Sequence, residues 1–401
     1  MNILQLTNKV PYPPRDGGAI ATLNMATGFT NLGHKVSILA MNTSKHFFDI
    51  EQIPDKIKTK IDFHDVEVNT KIKYTEIIKN LLFSKMPYNA QRFLSENYSK
   101  KLTEILISND YDIIQLEGLY LTPYIPEIRK HSKGLIALRA HNIEHEIWER
   151  IASQQKFSFK KFYCKEIARR VKNLKKEVIN KYDVLIPITD RDSKRFEDLG
   201  NIMPAHVVPA GIDTEKLIPQ PEKIVFPSIC HIGTLDWMPN QEGLIWFLKN
   251  AWEQLNELHP DLEFNIAGRN APEWLNKLFN SYNVNFYGEI ADAYDFINKN
   301  AIMVAPLFSG SGMRVKIIEG MALGKAIITT PIGIEGIPAT NGKNIIIQET
   351  PEGFIKQIDK LLKNRESINE IGKNAIKFVK ENFDNTNISA ALIDFYHKRL
   401  K

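Results

Sequence analysis

The sequence predicts an α/β protein of two Rossmann-like domains whose parallel sheets face each other across a cleft. Length, a repeated strand–helix rhythm in each half and a proline-rich break between the halves carry that prediction. At 401 residues the chain exceeds the roughly 250–300 residues at which a single core stops growing. Its composition, 43% hydrophobic and 25% charged, is that of a globular chain and excludes disordered or collagen-like classes.

In the first half, Ile3–Leu6 reads as a buried strand and Ala19–Leu32 as a helix closed by Gly33, as a C-terminal glycine should close it. Lys35–Ala40 is a second strand, followed by strands at Ile113–Gln115, Leu135–Arg139 and Val184–Ile188. The second half repeats the theme. Strands are expected at Ser228–Ile232, Glu263–Ala267, Asn285–Tyr287, Ile302–Ala305 and Ala326–Thr329, with helices at Gln241–Leu258, Trp274–Phe279 and Val315–Leu323. Strands alternating with helices imply parallel sheets covered on both faces. The expected domains are 1–205 and 224–384, joined by a linker at 206–223 that carries Pro209, Pro219 and Pro221. Open parallel sheets bind ligands beyond the carboxyl ends of their strands, which directs attention to the loops there.

The chain starts directly on an apolar strand, without the pattern of a secretory leader. No run approaches the ~18 apolar residues of a membrane span. Cys164 and Cys230 are too far apart for a Cys-x-x-Cys site and read as buried thiols in a reducing cytosol. The net charge of +5 is too small to argue for nucleic acid. Its excess is clustered, however: residues 156–181 hold ten Lys/Arg against Glu166 and Glu177, and 71–101 hold seven against Glu76 and Glu96. In the first cluster Ile167, Val171, Leu174 and Val178 form one helix face, which should pack on the domain and leave the lysines outward. Two readings stand: a solvated face, or attraction to an anionic membrane or polysaccharide.

Three segments carry chemistry. Gly17-Gly18 lies between the first strand and its helix, where backbone amides approach a phosphate; a plain tight turn is the alternative. Gly-x-Gly-x-x-Gly is absent, against a nicotinamide or flavin site. The second segment, Ser309–Lys325, is a glycine-rich loop opening a helix near Met313. Amides around Gly312 and Met313, with Arg314 and Lys316, point to a diphosphate, because two cations at a helix start are unfavourable unless an anion neutralises them. Glu319, two turns in, is placed to meet sugar hydroxyls; a solvated charged face is the alternative. The third, Arg139–Glu146, puts His141 beyond a strand end. Metal ligation by His141 with His145 requires a helix there, which the strand end does not dictate.

Together these segments resemble the family-four retaining glycosyltransferases of GT-B fold, over nearly the whole chain. Val207-Val208-Pro209-Ala210-Gly211-Ile212-Asp213 resembles that family's interdomain "P-N-G-V-D". Asn283–Asp292 with Ala305-Pro306-Leu307 is similar to its "G-x-V-x-D … P", and the helix Ile388–Leu400, within 385–401, suits its habit of crossing back to the first domain. The resemblance implies a Glu-x7-Glu pair whose second member, holding the ribose, is Glu319. The first position, which touches the transferred sugar, is Ser311 here. The family's diphosphate-gripping Arg and Lys are replaced by Gly233–Asn240, so Arg314, Lys316 and Arg269 are expected to supply the charge beside Gly233. His141-Asn142 resembles the family's sugar-contacting His-Asn. The implied reaction moves a sugar from a UDP- or GDP-sugar to a hydroxyl of a glycan or lipid-linked acceptor, with no cofactor and no metal. The place implied is the cytoplasm, peripheral at the inner membrane face. A catalytically silent nucleotide- or glycan-binding module and a sugar-nucleotide epimerase are the alternatives.

Overall fold

The computed structural model describes every residue except Arg15, 156–158, Ser311 and Lys401. The chain divides into two compact units: Met1–Gly211 with Asn385–Lys401, and Ile212–Asp384. The stretch 206–223 is shared between them. Its first residues lie along the first unit's sheet, with Val208 N–H donating to the Pro187 carbonyl at 2.8 Å, whereas Ile212 N–H donates to Phe383 O at 2.9 Å in the second unit.

The first unit is a six-stranded sheet of β1 (Asn2–Thr7), β2 (Lys35–Thr43), β3 (Ile61–Val68), β4 (Ile113–Glu117), β5 (Leu135–Ala140) and β6 (Val184–Pro187). Its order is β3-β2-β1-β4-β5-β6, and all neighbours are parallel. Alternate residues of β1 serve two cores: Leu4 and Leu6 enter one, Ile3 the other. On the Ile3 side lie the helices Gly17–Asn31 and Asn385–Leu400, so the end of the chain completes this unit's core through Leu392 and Tyr396. Gly33 follows the first helix at φ +83, the left-handed closure expected of it.

In the second unit the strands are β7 (Val225–Ile232), β8 (Glu263–Ala267), β9 (Asn285–Phe286), β10 (Asn300–Ala305), β11 (Ala326–Thr329) and β12 (Ile346–Ile347). They run parallel in the order β12-β11-β10-β7-β8-β9. Reading from its first strand, this repeats the first unit's order, that of the dinucleotide-binding folds. The expected helix at 241–258 spans Met238–Phe247, a wide turn at Leu248–Trp252 and Glu253–Leu258; Phe247 and Trp252 fill the core against Phe264.

The basic helix Phe159–Val178 buries Ile167, Val171, Leu174 and Val178, as its stripe predicts, but not all its cations point outward. Lys175 is fully buried, its Nζ 2.7 Å from Glu144 and 4.4 Å from the Phe196 ring centroid. Arg170 is buried too, donating to Asn80 O at 2.9 Å and Leu81 O at 2.7 Å. A buried charge is stable only when paired: Lys175 is paired by Glu144 of another helix, and Arg170 by Glu166 one turn earlier on its own helix, Nε to Oε1 at 2.6 Å. Among the described residues no helix is long and apolar enough to cross a membrane.

Candidate active site

In the second unit the chemistry gathers where β7 ends and the helix Val315–Ala322 begins. Lys316 stands one residue into that helix and reaches back to the strand. Its Nζ donates to Ile232 O at 3.0 Å and to Asn240 Oδ1 at 2.8 Å, and lies 3.5 Å from His231 Nε2. Asn240 is itself held through Nδ2 on Thr234 O at 2.8 Å. Gly233 makes this approach feasible: a Cβ there would lie 2.7 Å from Asn240 Nδ2 and 3.0 Å from Lys316 Nζ.

Burial, reinforced by Arg314, pulls the Lys316 ammonium down to about 7. His231 is fully buried, and its Nδ1 lies 2.9 Å from Val304 O. Since a carbonyl only accepts, Nδ1 carries the proton and Nε2 presents a lone pair to Lys316. Burial and Lys316 drive His231 well below its ordinary value, so the ring is neutral.

Arg314 precedes the helix and is buried. Its Nη1 donates to Gly312 O and its guanidinium lies 5.6 Å from the Trp237 ring centroid. Gly312, at φ +79, and Met313 form the approach to the helix and are partly exposed. Glu319 accepts from the Tyr294 hydroxyl at 3.0 Å, and burial raises its carboxyl to about 7 although Tyr294 opposes the shift. Arg269 contributes through its backbone, its carbonyl accepting Leu235 N–H at 2.8 Å, which ties down the loop after β7. Ser311 lies outside the described residues.

The first unit holds a second polar group. Glu117 ends β4, and His141 follows β5 with Nε2 2.7 Å from Glu117 Oε2. Arg139, 0% exposed, lies 3.5 Å from the same oxygen and donates to Ala21 O at 3.1 Å. Thr22 Oγ1 and Gln115 Nε2 complete the shell, and Tyr396 of the last helix donates to Gln115 Oε1 at 2.7 Å. Burial disfavours the carboxylate, yet Arg139, His141 and Gln115 outweigh it and hold Glu117 down to about 2. An ionised Glu117 only accepts, so His141 Nε2 carries a proton, and Nδ1 is the ring nitrogen turned away from that bond. His145 is buried, and burial with Lys175 and Lys172 pushes it down to about 4.

Gly17 and Gly18 differ from the expected loop: they are the first two residues of the helix Gly17–Asn31. Asp16 caps it, accepting Ala19 N–H at 3.1 Å, and Lys9 Nζ sits 2.5 Å from the same carboxylate. The anion at that helix start is therefore the protein's own. Glu117, Gln115, Tyr294 and Asn240 were not singled out from sequence. Only the first two left a signal: polar residues alternating within the apolar run of β4.

Residues 15–216 match the family described as Glycosyltransferase Family 4, about half of the chain, and residues 226–364 match Glycosyl transferases group 1. The chain belongs to glycosyltransferase family 4. An uncharacterized 44.6 kDa protein in the cps region of Klebsiella pneumoniae is 23% identical over 399 residues, covering 97% of this chain and 98% of that protein. An uncharacterized glycosyltransferase of Methanocaldococcus jannaschii is 24% identical over 299 residues, 69% and 72% of the two chains. Among solved structures, Anabaena HepE in complex with UDP superposes with a TM-score of 0.69 at 13% identity, covering 99% and 100% of the chains. Sucrose-phosphate synthase from Thermosynechococcus elongatus does so with 0.71 at 14%, covering 99% of each. These are GT-B proteins, and the chain has that fold as a family-four glycosyltransferase.

Proposed function

We propose that this glycosyltransferase moves a hexose from a UDP- or GDP-sugar onto a hydroxyl, with retention of anomeric configuration, in building a surface polysaccharide or glycolipid. The observation that carries the reading is Lys316 Nζ beside Gly233 at the end of β7, with Arg314 at the same helix start. A diphosphate there replaces the carbonyl and amide partners of Lys316 and meets two cations and free helix amides. Glu319 takes the ribose hydroxyls, and Tyr294 orients it. HepE, crystallised with UDP and with UDP-glucose, supports the nucleotide class; the location of the Klebsiella relative in a cps region supports the polysaccharide.

In this mechanism the developing charge on the leaving diphosphate is met by Arg314 and Lys316, fixed before the reaction, with no call on a metal ion. The departing phosphate oxygen accepts the acceptor's proton. His141, its Nε2 held by Glu117, is the first unit's candidate contact for a sugar hydroxyl. The test is donor turnover across a panel of UDP- and GDP-sugars, with the product anomer read by NMR. Glu319→Ala should weaken donor binding about tenfold to a hundredfold, the effect of losing a hydrogen bond to a charged group. A protein that binds these donors without hydrolysing or transferring them is a silent module, and an inverted product overturns retention.

The site also predicts a pH optimum for nucleotide binding. Lys316 titrates near 7 in the free protein, and a bound diphosphate raises it. Above pH 7, therefore, binding takes up a proton and affinity falls as pH rises. Glu319 also titrates near 7, and ribose hydroxyls favour its ionised form, so below pH 7 binding releases a proton and affinity falls as pH drops. The affinity of UDP or GDP should peak near neutrality, and Glu319→Gln should abolish the acid limb alone. Calorimetry in buffers of different ionisation enthalpy measures both.

A further inference from the structure

Behind His141 the polar groups of the first unit form a chain of hydrogen bonds that ends on the last helix. Gln115 and Glu117, two residues apart on β4, share one face of the sheet. His141 Nε2 lies 2.7 Å from Glu117 Oε2, and Gln115 Nε2 donates to Glu117 Oε1 at 2.5 Å. The Tyr396 hydroxyl then donates to Gln115 Oε1 at 2.7 Å. The direction is fixed throughout. An ionised Glu117 only accepts, so it takes N–H groups from both His141 and Gln115, which leaves Gln115 Oε1 to accept from Tyr396. Burial, reinforced by the Glu117 charge, raises the Tyr396 phenol above its ordinary value, so its proton stays in place to donate.

Tyr396 reaches this position because the last helix is seated directly on the first. A Cβ at Gly28 would lie 2.0 Å from Ser389 Oγ. Ser389, Leu392 and Tyr396, spaced three and four apart, share one helix face and are each 0% exposed. Gln115, for its part, has another place to turn. Gln5 is its neighbour in the β1–β4 register and is fully buried, and among the described residues neither its Nε2 nor its Oε1 has a hydrogen-bond partner. A buried amide without partners is costly, so a Gln115 released by Tyr396 has a competing bond to make, away from Glu117.

We propose that Tyr396 is a positioning residue for His141, acting through Gln115 and Glu117; this rests on the reading of His141 as a contact for a sugar hydroxyl. The test is nitrogen NMR of the protein carrying isotope-labelled histidine, with the His141 ring assigned from His141→Ala, alongside turnover of the donor that the panel identifies. Wild type should show a proton on His141 Nε2. Tyr396→Phe, which removes one hydroxyl, should shift the ring toward a mixture of tautomers and lower kcat about two- to tenfold, the size of one neutral hydrogen bond. UDP and GDP affinity should be unchanged, because Arg314, Lys316 and Glu319 lie in the other unit. Gln115→Leu, which removes the middle link, should give the same ring shift and keeps the test open should Tyr396→Phe fold poorly. In a His141→Ala background Tyr396→Phe should have no further effect on kcat, since residues of one network are not additive; a hydroxyl that only stabilised the fold would act equally in both backgrounds. A His141 ring signal unchanged in both variants, or a kcat loss that persists undiminished after His141→Ala, overturns the proposal. A ring signal that shifts while His141→Ala turns over donor like wild type upholds the positioning and overturns the contact reading instead.

Discussion

Replacing Lys316 with alanine is expected to lower sugar transfer by about 10²–10³-fold, the loss seen when one preorganised group that stabilises developing charge is removed. The expectation follows from position more than from charge. The ammonium stands at the end of β7 against Ile232 O and Asn240 Oδ1, partners that it exchanges for the diphosphate on binding. Fold stability should not fall in parallel. Burial already disfavours the charged lysine, and alanine removes that cost. A stable, inactive Lys316→Ala protein is thus the expected phenotype, read by donor turnover together with thermal melting. Lys316→Met, which keeps the length of the side chain, should be equally inactive.

The second large effect is on stability. Glu117→Ala leaves the fully buried Arg139 without its carboxylate, and breaking a buried pair by removing one partner costs about 3–5 kcal/mol. At roughly 2–4 °C per kcal/mol for a unit of this size, the first unit should melt about 10 °C lower. The pH dependence has a defined sign. Glu117 is held down to about 2 from an ordinary 4.5, so its ionisation stabilises the fold above pH 4.5 and that contribution fades as pH falls toward 2. Wild type should therefore lose stability through that window, whereas Glu117→Ala, already lacking the contribution, should show a flatter profile. Calorimetric scans across pH 2–7 follow both. Equal melting of the two proteins at neutral pH would show that Arg139 finds other compensation.

Much of the fold was legible because both sheets have covered faces. β8 and β11 fall where their apolar runs predict, at Glu263–Ala267 and Ala326–Thr329. β3 was missed for the converse reason. It pairs with β2 alone, and its Ile61-Asp-Phe-His-Asp-Val-Glu-Val alternates instead of running apolar. The buried Lys175 was hidden because its partner Glu144 lies on another helix, and helical periodicity reports only a residue's own face. At the helix Val315–Ala322 the sequence showed two cations at one helix start. It could not show Lys316 folding back to β7, since that depends on a close approach that Gly233 permits. Conversely, Gly17-Gly18 leaves a phosphate loop and a plain turn both open in the sequence, and in the structure Asp16 caps the helix that the two glycines begin; an aspartate next to glycines is consistent with either arrangement. Glu117 and Arg139 were visible as polar interruptions at the ends of apolar strands, but their pairing depends on the β4–β5 register, which sets Glu117 opposite Arg139.

A crystal structure of the protein with UDP or GDP tests the central claim most directly. The account predicts diphosphate oxygens within hydrogen-bond reach of Lys316 Nζ and Arg314, with the ribose hydroxyls on Glu319. A nucleotide bound elsewhere, or a diphosphate in place while Lys316 keeps its bonds to Ile232 O and Asn240, would contradict it.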